Sequence, residues 1–139
     1  MPDLVLMRHG KSDWGVSTVN DRNRPLAARG IKAAQTMGRA LTAVHRAPEL
    51  IMTSPAIRAN TTAEIAAEAG GWTCPIWVID DFYGGGVGDA IAALRKAPDV
   101  ERIVAIGHQP TWSSLTNSII GGGDVAFPTA AVVSLGVPD

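Results

Sequence analysis

Leu4-Val5-Leu6-Met7-Arg8-His9-Gly10 is the stretch from which the fold is read. Four apolar residues follow one another with no polar alternation. That is the pattern of a strand buried on both faces, as in a parallel sheet sandwiched by helices. The run then breaks into a guanidinium, an imidazole and a glycine. A strand end that carries such groups is where an open α/β sheet places its ligands.

Two further stretches repeat the arrangement. Leu50-Ile51-Met52-Thr53 runs into Ser54-Pro55, with Arg58 a helical turn further on. Ile103-Val104-Ala105-Ile106 runs into Gly107-His108-Gln109-Pro110. Helical patterns lie between them. Pro25 and Leu26 open a segment in which Ile31, Ala34, Met37 and Leu41 recur at helical intervals, to end before Pro48. Residues 56–69, rich in alanine and glutamate, predict a second helix stopped by Gly70-Gly71. Residues 75–79 read as a weaker strand, and Pro75 argues for a sheet edge. After the loop Gly84-Gly85-Gly86 come a helix over 87–97 and, past the fourth strand, a helix over 111–120 with Thr111 as its N-cap. Gly121-Gly122-Gly123 is a further loop and 130–135 a last strand. The order predicts an α/β fold, a three-layer α/β/α sandwich with a mostly parallel central sheet, with residues 1–139 as one domain.

Composition agrees. Of 139 residues, 46% are apolar and 18% charged, enough to build a core, so disorder is excluded. Net charge is −1 without a basic run, so no nucleic-acid partner is expected. The single cysteine, Cys74, excludes an internal disulfide and a thiolate metal cluster. No segment reaches membrane-spanning length, and the first residues lack the basic start of a signal peptide. The expectation is a cytoplasmic protein with no membrane partner.

In a parallel sheet the three strand ends share one edge, which brings Arg8, His9, Arg58 and His108 together. Taken singly, a histidine after a strand is most often an ordinary loop residue, and an arginine on a helix is most often solvated. Jointly, two guanidiniums and two imidazoles describe an anion site. Arginine presents a planar fork that matches phosphate oxygens. A neutral imidazole is a competent nucleophile near pH 7. The third histidine, His45, lies near a helix C-terminus and has no assigned role.

The segments named above, read together, resemble the histidine phosphatase (phosphoglycerate mutase-like) superfamily. Residues 4–14 look like its opening. Asp21-Arg22-Asn23-Arg24-Pro25-Leu26, followed by Arg29-Gly30, is similar to the SixA-like phosphohistidine phosphatase branch. Residues 53–63, 104–110 and Phe127-Pro128-Thr129-Ala130-Ala131 resemble its remaining blocks. The resemblance implies that His9 is the residue that becomes phosphorylated. It implies that Arg8 and Arg58 hold the phosphoryl oxygens and that His108 completes the pocket. Arg24, Ser54 and Gln109 are its candidates for substrate contact, with Ser54 as a buttress at the strand end. The expected activity is a metal-independent, cofactor-free hydrolase acting through a covalent phosphohistidine, with phosphohistidine on a protein as substrate. Phosphatase action on small phosphomonoesters, or phosphate binding without turnover, are the alternatives. Larger relatives carry a capping insertion and a carboxylic acid that protonates the leaving group. Here the 79–90 connection is short, and Asp80, Asp81 and Tyr83 are left open as acids. The role of Trp14 and the oligomeric state are open as well.

Overall fold

The computed structural model describes residues 3–15, 20–120 and 132–136. Its sheet contains β1 (Asp3–Arg8), β2 (Leu50–Thr53), β3 (Ile76–Val78), β4 (Arg102–Gly107) and β5 (Val132–Gly136), in the spatial order β3-β2-β4-β1-β5. The first four are mutually parallel, and β5 joins β1 antiparallel. The helices are α1 (Ala28–Ala43), α2 (Ile57–Gly70), α3 (Val87–Arg95) and α4 (Thr111–Ile120). β3 lies at the sheet edge, as Pro75 predicts. The segment 127–131 and the loop 121–123 lie outside the described residues.

The apolar runs are continuous because each strand feeds two cores. Side chains alternate across the pleat. Leu4, Leu6, Leu50, Met52, Ile103 and Ala105 pack on one side with Phe82, Ala90, Trp112 and Leu115 of the α3 and α4 layer. Val5, Met7, Ile51, Val104 and Ile106 pack on the other with Leu41 of α1 and the alanines of α2. Ala59, Ala63 and Ala66 are fully buried there, and their small side chains let α2 lie close against the sheet. Gly71, at a φ of 72°, accepts the left-handed conformation that ends α2. The result is a three-layer α/β/α sandwich with a mostly parallel sheet.

This layering locates the site. The helices after β1 and β2 cover one face, and those after β3 and β4 cover the other. β1 and β4 are neighbours whose chains leave toward opposite faces. That divergence opens a crevice at their C-terminal ends, the switch point at which open α/β sheets bind ligands.

Two local expectations are corrected. The first helix starts at Ala28 and not at Pro25, because residues 25–27 pair with the loop after β1. Asp13 N–H donates to Pro25 O, Ala27 N–H donates to Lys11 O, and Ser12 bridges to Leu26. Thr111 is the first residue of α4 and not its N-cap. Its hydroxyl donates to Gly85 O, while Gln109 Oε1 accepts the Ser113 N–H at 3.0 Å.

Candidate active site

Strand register brings the two histidines together. Arg8 pairs with Gly107 across β1 and β4, and His9 N–H donates to Gly107 O at 3.2 Å. On the other side of β4, Ser54 N–H donates to Ile106 O at 3.0 Å. His9 and His108 therefore leave adjacent strand ends side by side. Their ring centroids are 5.0 Å apart, with the planes tilted by 56°.

The His9 ring is held in one orientation. Its Nδ1 lies 2.6 Å from Gly10 O, and a carbonyl can only accept, so Nδ1 carries the proton. That leaves the lone pair on Nε2, to which Arg58 Nε–H donates at 3.4 Å. The Gly10 peptide is fixed in turn, its N–H donating to Thr62 Oγ1 at 3.1 Å. The Thr62 hydroxyl donates to Arg58 O at 2.7 Å. One fully buried hydroxyl thus ties the His9 loop to the first turn of α2. The loop also lies directly on α1: a Cβ added to Gly10 would stand 2.6 Å from Gly30 O.

Arg58 is only 8% exposed, and its fork is turned to Asp21. Nη1 donates to Asp21 O at 2.6 Å, and Nη2 donates to Asp21 Oδ2 at 3.0 Å. Asp21 also receives Arg24 Nη2 at 3.1 Å and the Tyr83 hydroxyl at 2.8 Å. On the far side His108 Nε2 lies 2.7 Å from Ser54 Oγ, which also accepts the Ala56 N–H. The Tyr83 ring stands edge-on to His108 at 5.7 Å.

Burial sets the charge states. Removal from water, reinforced by the charges of Arg58 and Arg8 and opposed by the Gly10 carbonyl, lowers the His9 imidazole to about 4. Desolvation, then the neighbouring His9 and Arg58, lowers His108 to about 3. Both rings are neutral at pH 7. Burial works against ionisation of Asp21, but bonds from Tyr83, Arg24 and Arg58 outweigh it and hold the carboxyl at about 2. The bond that Tyr83 donates to Asp21 raises its own phenol.

These groups surround a cavity of about 270 Å³ lined by Arg8, His9, Lys11, Ser12, Trp14, Asp21, Arg58, His108 and Gln109. Of the residues singled out in the sequence, Arg8, His9, Arg58, His108 and Gln109 reach its wall. Gln109 is partly committed to α4, because its Nε2 donates to Ser113 Oγ at 2.6 Å. Ser54 is fully buried behind His108. Arg24 stands behind Trp14 and Asp21. Asp80 and Asp81 are exposed, and Tyr83 meets the site through Asp21. Asp21 and Thr62 are the site residues that the sequence does not single out: Asp21 lines the cavity and Thr62 supports the His9 loop. Chemically, the assembly offers one fixed imidazole lone pair among guanidinium donors. Among the described residues no group of three or more His, Cys, Asp or Glu is placed to hold a metal ion. No described helix is long and apolar enough to cross a membrane.

Residues 4–83 match the histidine phosphatase superfamily (branch 1), and the chain belongs to that family. Within it the chain groups with the SixA-like branch, on the phosphoglycerate mutase-like fold. An uncharacterised protein of Mycobacterium tuberculosis is 32% identical over 94% of this chain and 87% of its own. A crystal structure assigned as the phosphohistidine phosphatase SixA of Agrobacterium tumefaciens superposes with a TM-score of 0.86 at 24% identity, covering 96% of this chain and 91% of that one. The protein histidine phosphatase SixA complexed with tungstate gives 0.86 at 25% identity, covering 95% and 86%. Family and fold make this chain a phosphatase, whose substrates carry phosphoryl groups.

Proposed function

We propose that this phosphatase removes phosphoryl groups from phosphohistidine on a protein, without a metal, through a covalent intermediate on His9. The His9 ring carries the reading: it is neutral, its proton is pinned on Nδ1 by Gly10 O, and its Nε2 lone pair stands in a cationic cavity wall. In the first step Nε2 attacks phosphorus in line, so the Nε2–P bond forms and the bond to the leaving atom breaks. In the second step water attacks phosphorus, the Nε2–P bond breaks and orthophosphate leaves. Arg8 and Arg58 neutralise the equatorial oxygens, and the neutral His108 ring, backed by Ser54, closes the opposite side of the cavity. Oriented donors of this kind are worth roughly 3 kcal/mol each in the transition state. To bind, a phosphoryl group competes with Asp21 for the Arg58 fork.

The choice of a P–N substrate rests on proton supply. An alkoxide leaving group benefits from a general acid beside it that can give up a proton. The carboxyl in this cavity, Asp21, is held ionised and already accepts a hydrogen bond from the Tyr83 hydroxyl, so it has no proton to give. Phosphohistidine needs less help, because its far ring nitrogen takes a proton from water near neutral pH and imidazole then departs as a neutral molecule. The open side of the cavity also suits a side chain presented on another protein.

The test is rapid acid-free quenching with a protein phosphorylated on histidine with labelled phosphate. The wild type is expected to show an acid-labile, base-stable label on His9 and to release orthophosphate, and His9→Ala is expected to show neither. Full turnover by His9→Ala would overturn the covalent step. Faster turnover of a panel of small phosphomonoesters would overturn the choice of substrate.

A further inference from the structure

Trp14 is 70% exposed, the most exposed of the large apolar side chains described, and it lines the same cavity as His9. A bare indole in water forgoes the burial that normally stabilises a tryptophan. This one is also held still. The Arg24 guanidinium lies 3.5 Å from the indole centroid. Arg24 is itself fixed by Asp21, and its side chain is only 11% exposed. With a buried cation under one face and the ring largely exposed, no described residue covers the other face. The backbone beneath is pinned as well: Asp13 N–H donates to Pro25 O, and Gly15 N–H closes a turn on Asp13 Oδ1.

We propose that Trp14, propped on Arg24, is the residue that selects the leaving group. Its open face stacks against a planar ring carried by the transferred phosphoryl. The inference rests on the reading of the His9 cavity as the phosphoryl site, and it narrows the substrate class to phosphates and phosphoramidates of aromatic rings, the imidazole of phosphohistidine among them. Phosphoryl binding at the cavity wall and ring stacking at Trp14 then act on two ends of one small molecule or side chain. The exposed ammonium of Lys11, on the same wall, stays available to an acid near the ring.

The test measures binding, so that it stands apart from turnover. Calorimetry with phenylphosphonate and methylphosphonate, both inert to hydrolysis, compares a ring with no ring on the same anionic head. Wild type is expected to favour phenylphosphonate about 10-fold, the scale of one aromatic stack with the ring's own burial. Trp14→Phe keeps most of that preference, and Trp14→Ala loses it. Trp14 is exposed, so both variants are expected to fold, and thermal melts check this. Equal affinity of the wild type for the two probes would overturn the platform, and so would a preference that survives in Trp14→Ala. A Trp14-dependent preference in a protein that gives no label on His9 would sink the proposed reaction and leave the platform standing.

Discussion

A single hydroxyl illustrates how little at this site is left to chance. Thr62 Oγ1 accepts the Gly10 N–H and donates to Arg58 O. Gly10 O in turn fixes the proton of His9. Replacing Thr62 with valine keeps the shape but leaves the buried Gly10 N–H with no acceptor at that position, a loss of about 1–3 kcal/mol. The peptide is then free to rotate, and its carbonyl no longer sets the His9 tautomer. We expect Thr62→Val to lower kcat about 10-fold, as misplaced nucleophiles do, with a smaller change in KM. Thr62→Ser retains the hydroxyl and should recover most of the loss. Steady-state kinetics alongside urea unfolding separate the two effects. A destabilised Thr62→Val with unaltered kcat would show that Gly10 needs no such support.

Among the elements, α1 matters through its first turn and not through its length. Gly30 lets the loop after β1 rest on the helix: a Cβ there would collide with Lys11 backbone atoms, at 2.7 Å from its nitrogen and closer still to its oxygen. Gly30→Ala should therefore cost about 1–3 kcal/mol, as overpacking does, despite the better helix propensity of alanine. Because the displaced loop carries His9 and Gly10, activity should fall further than stability alone explains. Activity measured well below the melting transition checks this, and full activity there would show that the loop tolerates the shift. The same contact explains what local reading misses. The strand ends were legible because burial on both faces writes itself as uninterrupted apolar runs. Pro25-Leu26, by contrast, has the look of a helix start. Its backbone is claimed by residues 11–13, a partner that no local periodicity reveals. Asp21 looks like any solvated loop carboxylate until the fold sets it against Tyr83, 62 residues away. Thr62 looks like a polar residue on a helix surface until α2 turns it inward. Residue types at strand ends were thus readable, while bonds between distant loops had to wait for the fold.

For the whole molecule, the buried imidazoles set how stability depends on pH. An unfolded histidine titrates near ~6.5. Folding lowers His9 to about 4 and His108 to about 3, with burial the first cause in both. Between these limits the unfolded chain binds more protons than the folded one, so stability rises with pH across that window. The contribution is fully present above pH ~6.5 and is lost as pH falls toward the folded values. Each histidine can contribute up to about 1.4 kcal/mol per pH unit inside the window. Acidification from pH 6.5 to 5 should then remove on the order of 3 kcal/mol, because the slope is only half its maximum at the start of the window, and that is a large share of the 5–15 kcal/mol typical of a folded domain. Asp21, held at about 2, ionises in a lower range, so its carboxylate contributes nothing to this first loss. Orthophosphate should oppose the loss, because an anion bound between the rings favours their protonated forms and binds only the folded chain. Urea unfolding at pH 7, 6, 5 and 4.5 measures the slope directly. A flat profile from pH 7 to 5 would mean that the two rings are already hydrated and charged in the folded protein, and the neutral nucleophile at His9 would go with them.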